Sequence, residues 1–544
     1  MGSMNLSYAC GISEVPLLGQ TIGENLEQTA MLHGGTDALV DVQGGRRWTY
    51  AQFNAAVDTV AAALLGRGLA KGDRIGIWSP NCPEWVLVQY AAAKLGAILV
   101  NINPAYRSSE LEFVLRQSQT RVLVSAAANR GTDCKAMVES LRGGLPELED
   151  VIYIGDPTWE KLYQGGVGAD LQPLRARMRE LSFDDPVNIQ YTSGTTGAPK
   201  GATLSHHSIL NNGFFVAELL GVTERDRMCL PVPFYHCFGM VMGNLGATTH
   251  GAAIVIPAPN FDARSTLAAV QAERCTVLYG VPTMFIAELA LPDFTAFELG
   301  SLRTGIMAGS PCPVDVMRRV MEQMHMREVS IAYGMTETSP VSTQTRRDDD
   351  IERRTATVGC VMPHVEVKIV DPATGLTLPR GAMGELCTRG YSVMRGYWRE
   401  PQKTAEVIDA ARWMHTGDLA TMRPDGYVNI VGRIKDMVIR GGENIYPREV
   451  EEFLYGHPDI LDVQVIGVPD EKYGEELMAC VRLREGAAAL TDADVREFCH
   501  ERLAHYKIPR YVRVVESFPM TVTGKVRKVE LREQAAEWVT QRKS

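Results

Sequence analysis

Apolar and polar positions along the chain follow two different periods. Arg121-Val-Leu-Val-Ser125, Val151-Ile-Tyr-Ile154, Ala253-Ile-Val-Ile256 and Thr276-Val-Leu-Tyr279 are short runs rich in β-branched residues, with the length and composition of strands. Between them lie longer amphipathic stretches, such as Tyr50 to Leu69, in which apolar residues recur at helical spacing. Strands alternating with helices predict an α/β fold with mainly parallel sheets. Tyr427-Val-Asn-Ile-Val431 also reads as a strand, and the polar stretch Gly432-Arg433-Ile434-Lys435-Asp436 interrupts the pattern after it. Beyond that come a glycine-rich loop, a helix over Arg448 to Leu454, a strand at Val463-Gln-Val-Ile466 and a helix from Thr491 to Leu503. The expected organisation is a large N-terminal domain of parallel or mixed sheets flanked by helices, residues 1–434, followed by a small mobile α+β domain, residues 435–544. The Gly/Pro-rich part from Asp371 to Gly384 is expected to be a turn, because periodic segments continue on both sides of it.

Length and composition narrow the class. At 544 residues, 45% hydrophobic and 22% charged, the chain has the make-up of a soluble globular protein of more than one domain. A formal net charge of −10 gives no overall positive field for nucleic acid or an anionic membrane surface. No uninterrupted apolar stretch approaches the roughly 18–20 residues of a spanning helix, and no basic segment with an apolar run opens the chain. The 11 cysteines are scattered from Cys10 to Cys499, with no CxxC pair and no Cys/His cluster at metal-ligand spacing. Reduced thiols in a cytoplasmic protein fit this better than disulfides or zinc. The charge run Arg346-Arg-Asp-Asp-Asp350 reads as a solvated loop.

Chemistry is concentrated in Tyr191-Thr-Ser-Gly-Thr-Thr-Gly-Ala-Pro-Lys-Gly201. Gly194, Gly197 and Gly201 let the backbone turn its amides inward, Thr192, Ser193, Thr195 and Thr196 add hydroxyl donors, and Lys200 adds a mobile positive charge. Such a lining suits polyphosphate. It is not a Walker A loop, because Pro199 precedes the lysine and Gly201 follows it. An ordinary Gly/Ser/Thr-rich surface turn is the bland alternative, and eleven residues of this composition tell against it.

The stretch resembles the phosphate loop of the adenylate-forming superfamily of acyl-CoA synthetases, peptide-synthetase adenylation domains and luciferases. Other motifs of that superfamily follow in order, and the resemblance runs from about Trp48 to about Lys528. Pro233-Phe-Tyr-His-Cys-Phe-Gly239 and Gly441-Gly-Glu-Asn-Ile-Tyr-Pro447 look most like the medium- to long-chain fatty acyl-CoA synthetases. The resemblance implies ATP and coenzyme A as co-substrates, Mg²⁺ as cofactor, a small carboxylic acid as partner, no nucleic acid and no membrane span; a homodimer is left open. It also implies roles for individual residues. In Tyr333-Gly-Met-Thr-Glu-Thr338, Tyr333 would pack on adenine, Thr336 would bond phosphate and Glu337 would hold the metal. Gly309 and Ser310 would line the adenine and the acyl carbonyl, Asp418 would accept from both ribose hydroxyls, and Arg433 would reach the same nucleotide. Lys525, in Pro519-Met-Thr-Val-Thr-Gly-Lys525, would reach into the site during adenylation. Lys435 would be the hinge, and Gly441, Gly442 and Glu443 would line the pantetheine tunnel. His236 would border the acyl carboxylate. The acyl pocket is expected to include Phe234, His236, Met240, Tyr279, Gly280 and Met335, and no residue from 234 to 239 is acidic, which disfavours an amino-acid substrate. The expected reaction joins a medium- to long-chain aliphatic acid to coenzyme A through an acyl-adenylate. The alternatives are an aryl-acid coenzyme A ligase of the coumarate type and a nucleotide-binding relative without turnover.

Overall fold

The computed structural model describes residues 5–192, 199–310, 312–500, 502–520 and 526–543. It falls into two compact units: residues 9–367 with 388–414, and residues 1–8, 368–387 and 415–544. The boundary expected between residues 434 and 435 lies inside the second of these.

The larger unit is α/β and contains two seven-stranded sheets. The first runs, from edge to edge, Gly396–Tyr397, Lys200–Ser205, Pro186–Thr192, Ile98–Asn101, Arg74–Trp78, Val122–Ala126 and Asp150–Ile154. Its last five strands are mutually parallel, and the first two add antiparallel. The second sheet runs Glu328–Ser330, Thr304–Met307, Val277–Gly280, Arg227–Cys229, Ala253–Ile256, Asp37–Asp41 and Arg46–Thr49, parallel except for the final pair. Between the sheets lies the helix Pro83–Leu95, which touches strands of both and is buried along its whole length. That accounts for its sequence, Trp-Val-Leu-Val in one turn and a run of alanines in the next: a helix covered on every side carries apolar residues all round. Its two charged exceptions are met locally: fully buried Lys94 pairs with Asp58 and donates to Asn54 at 2.7 Å, and buried Glu84 pairs with Arg46.

The predicted helix from Tyr50 forms as Tyr50–Gly66, started by a capping box between Thr49 and Gln52. The charge run at 346–350 departs from expectation. Asp349 is buried and accepts from the Arg346 amide at 2.7 Å, and Asp350 caps the helix Ile351–Ala356 through the Arg353 amide. Among the described residues no helix is long and apolar enough to cross a membrane, and the eleven cysteines are free thiols.

His206 opens the helix His206–Leu219 fully buried, its Nδ1 accepting from the Ile22 amide at 3.2 Å. Burial lowers its pKa from 6.5 to about 4, against the attraction of Asp185 and with the repulsion of Lys71. Between those values the unfolded chain holds the proton and the folded one does not, so stability falls as pH falls from 6.5 towards 4. Replacing His206 by Gln, which can still accept at this position, should remove up to about 3 kcal/mol of that loss. Denaturant unfolding of both proteins at pH 7 and pH 4.5 measures it; equal acid losses would exclude His206 as the cause.

In the smaller unit, strands Glu443–Ile445, Val438–Arg440, Gly474–Leu483 and Ile460–Asp470 form one sheet, with Tyr511–Val514 added beside Gly474–Leu483. Side chains alternate between its faces. Val463, Val465, Leu477, Ala479 and Val481 belong to one core with Val450, Leu454 and Val495 of two helices, while Ile466, Val468, Met478 and Cys480 belong to another with Leu531, Ala535 and Val539 of the helix Lys528–Lys543. A strand buried on both faces explains the near-continuous apolar run Leu477-Met-Ala-Cys-Val481.

Candidate functional site

The glycine-rich stretch connects two antiparallel strands, with Tyr191 opposite Gly201 and Thr192 opposite Lys200. Ser193, Gly194, Thr195, Thr196 and Gly197 lie outside the described residues. Its two ends are held together, since the Thr192 hydroxyl donates to the Lys200 carbonyl at 3.4 Å. The Lys200 ammonium lies 5.0 Å from the centre of the Tyr397 ring, a distance at which a cation is attracted to the ring face.

Three neighbouring parallel strands of the second sheet deliver the next residues. Val277–Gly280 ends on Gly280, Thr304–Met307 leads into Gly309 and Ser310, and Glu328–Ser330 leads into Tyr333. Candidate residues therefore gather beyond the carboxyl ends of adjacent strands, where open α/β sheets take their ligands. The Ala308 amide donates to the Gly280 carbonyl at 3.3 Å, and Gly309 turns with φ +96°, a conformation that favours glycine. After the short strand Ala332–Gly334, a 3₁₀ turn at Thr336–Thr338 buries Thr336 and Glu337. Gly334 permits this turn: a Cβ there would lie 1.8 Å from the Pro340 carbonyl oxygen.

Glu337 is only 5% exposed. The Tyr397 hydroxyl donates to its Oε1 at 2.8 Å, and the Met394 amide donates to its carbonyl at 2.8 Å. Burial, then the adjacent Glu337 carboxylate, push the Tyr397 phenol well up, so it stays a donor. The buried Glu337 carboxylate supplies oxygen donors of the kind that suit Mg²⁺. Tyr397 itself was not foreseen from the sequence. It stands 60 residues from Glu337, and only strand pairing brings the two together.

The segment carrying His236 is strapped to the first sheet. Asn101 donates to the Tyr235 carbonyl at 3.1 Å, and the Cys237 thiol donates to Gln190 at 2.9 Å, two residues before Thr192. His236 is half-buried, and its Nδ1 accepts from the Phe238 amide at 3.2 Å. A π-helix follows, Phe238–Leu245, a form that recurs at functional sites. Phe234 packs on Trp85 with ring centres 5.7 Å apart, Met240 is buried with its sulfur 3.4 Å from the Asn101 amide nitrogen, and Phe238 packs on Tyr279 at 5.6 Å. The Phe238–Tyr279 contact carries this segment to the strand that ends on Gly280. Met335 is half-buried beside the Thr336 turn.

Asp418 and Arg433 belong to the smaller unit and face each other on paired strands, Arg433 Nε donating to Asp418 Oδ1 at 2.9 Å. The Thr416 hydroxyl accepts from the Asp418 amide at 3.1 Å. Glu385 accepts from the Gly417 amide at 3.0 Å through Oε1 and lies 2.8 Å from His415 Nδ1 through Oε2, with Cys387 Sγ 3.5 Å from the same nitrogen. Sequence spacing concealed this carboxylate–thiol–imidazole set, which neighbouring strands assemble and in which Glu385 also holds the Gly417 amide.

Lys435 is exposed in the 3₁₀ turn Ile434–Asp436. Gly441 and Gly442, both at positive φ (+59° and +92°), form the two-residue turn of a hairpin in which Arg440 faces Glu443. Lys525 lies outside the described residues; on either side of residues 521–525 Met520 bridges Val526, and the Arg527 amide donates to the Pro519 carbonyl at 2.7 Å.

Known proteins resemble this chain along nearly its whole length. Residues 26–398 match the model of the AMP-binding enzyme family and residues 449–525 that of the AMP-binding enzyme C-terminal domain. The Bacillus subtilis (strain 168) protein YngI, a candidate acyl-CoA synthetase, is 48% identical over 96% of this chain and 98% of its own. The mitochondrial medium-chain acyl-CoA ligase ACSF2 of Danio rerio is 45% identical over 98% of this chain and 91% of its own. Among solved structures, ATP-bound MatB from Rhodopseudomonas palustris superposes with a TM-score of 0.84 at 30% identity, covering 94% of this chain and 99% of that one. The chain belongs to the AMP-binding enzyme family, as one of its AMP-forming acyl-CoA synthetases.

Proposed function

We propose that the enzyme acts in the cytoplasm on a medium- to long-chain aliphatic acid in two steps. A carboxylate oxygen attacks the α-phosphorus of ATP, the bond to the β-phosphate breaks and pyrophosphate leaves. The thiol sulfur of coenzyme A then attacks the acyl carbon, the bond to AMP breaks with its electron pair going to AMP, and the thiol proton passes to solvent. The phosphate loop from Thr192 to Gly197, with Lys200, cradles the leaving phosphates, and Thr336 bonds the phosphate that is attacked. Tyr333, Gly309 and Ser310 take the adenine, and Asp418 and Arg433 orient the ribose. Mg²⁺, held by Glu337 and ATP oxygens, would neutralise charge on the polyphosphate. Lys525 bridges carboxylate and α-phosphate as they approach. For the second step residues 435–544 turn about Lys435, bringing Gly441, Gly442 and Glu443 to the pantetheine arm, with His236 beside the acyl carbonyl.

The observation that supports this reading most directly is the gathering of Gly280, Gly309 and Tyr333 beyond three adjacent parallel strands. For the acid, the unbroken apolar and uncharged run from Phe238 to Gly243 and the medium-chain name of the vertebrate relatives favour an aliphatic chain. Pyrophosphate release from MgATP, measured across acetate to palmitate with benzoate and coumarate, with and without coenzyme A, tests it. Octanoate should exceed acetate by roughly 10²-fold or more in kcat/KM, since each buried methylene contributes about 0.8 kcal/mol. AMP and a thioester should form only with coenzyme A present. Preference for an aryl acid would transfer the assignment to that class, and no release with any acid would remove the catalytic reading.

A further inference from the structure

Tyr397 has contacts that no role assigned so far uses. Its backbone is fixed on three sides: it pairs with Ala202 across the strand edge, its own amide donates to the Thr404 hydroxyl at 2.9 Å, and the Trp398 amide donates to the Gly201 carbonyl at 2.7 Å. Gly396 before it adopts φ +149°, and a Cβ there would lie 2.8 Å from Thr404 Cγ2. So held, the side chain meets Glu337 with its hydroxyl at 2.8 Å and Lys200 with its ring at 5.0 Å. Among the described residues no ion pair joins Lys200 to Glu337. A neutral ring carries the cation and a neutral hydroxyl carries the anion.

We infer that Tyr397 is a positioning residue that keeps Glu337 and Lys200 apart and ready, the carboxylate for the metal and the ammonium for the polyphosphate. Without it, the two opposite charges would collapse on each other, and metal–nucleotide binding would first have to separate them. The inference rests on the metal role proposed for Glu337.

The test measures Mn²⁺ affinity in the presence of a non-hydrolysable ATP analogue, by electron paramagnetic resonance of the free ion, so that turnover is not the readout. Tyr397→Phe keeps the ring and removes only the hydroxyl. It should raise the Mn²⁺ dissociation constant by roughly 10- to 100-fold, the effect of one hydrogen bond to a charged group, with melting temperature confirming the fold. Tyr397→Leu, which also frees Lys200, should raise it further. Glu337→Gln separates the two claims. If it weakens Mn²⁺ binding while Tyr397→Phe leaves the wild-type value, the inference about Tyr397 is overturned alone. If neither variant changes Mn²⁺ binding, the metal role of Glu337 fails and the inference falls with it.

Discussion

Replacing Lys525 by Ala lowers the rate of acyl-adenylate formation by roughly 10²–10³ while thioester formation from supplied acyl-AMP stays within a few-fold of wild type. Two anions, a carboxylate and a triphosphate, must approach to bonding distance in the first step, and a single ammonium between them stabilises the arrangement most where the charges are closest. Removing one preorganised group of this kind corresponds to about 2.7–4 kcal/mol of transition-state stabilisation. In the second step a thiol attacks an acyl carbon and AMP leaves, so the same ammonium has no pair of anions to bridge. On either side of residues 521–525 Met520 bridges Val526, and the helix Lys528–Lys543 follows with Leu531, Ala535 and Val539 buried. Rapid-quench measurement of pyrophosphate release, beside thioester formation from synthetic acyl-AMP, separates the steps. A variant that adenylates at the normal rate removes Lys525 from the mechanism.

What the chain discloses before folding depends on how far apart the cooperating residues lie. The glycine-rich stretch from Tyr191 to Gly201 stands out by composition, while the Tyr333–Thr338 and Thr416–Asp418 motifs, also contiguous, are picked out by resemblance to the adenylate-forming superfamily. Strands at 122–126, 150–154, 253–256 and 277–280 were readable for the same reason, since each is a short buried run. Tyr397 was not, because its partnership with Glu337 and Lys200 arises only when a two-residue strand adds to the edge of Lys200–Ser205. Glu385 and His415 likewise meet through strand neighbours 30 residues apart. Asp418 and Arg433 were both singled out, yet their direct bond follows from the register of two strands. The polar interruption after Val431 is where the sequence suggests a joint, but packing decides which strands share a unit, and residues 415–434 share theirs with the C-terminal residues.

That joint gives the second large effect. Lys435→Pro should leave adenylation within a few-fold of wild type and lower thioester formation by roughly 10² or more, the penalty expected when reacting groups are not brought into register. The residues on either side of the Ile434–Lys435 pair are both tied down in the structure. Arg433 is bonded to Asp418 at 2.9 Å, and the Asp436 carboxylate accepts from Arg532 of the last helix at 2.7 Å. Ile434 and Lys435 are left to supply the rotation, and the exposed lysine side chain can move through water without breaking a packed contact. Proline fixes φ near −65° and drives the preceding residue towards extended conformations, so it removes torsional freedom at both positions together. Lys435→Ala is the control, because it deletes the side chain and keeps the torsions; it should sustain both steps. Single-turnover assays of each half-reaction decide the matter. Thioester formation at the wild-type rate in Lys435→Pro would mean that no rotation at this joint is needed, and equal loss of both steps would mean that the proline acts on the Ile434–Asp436 turn itself.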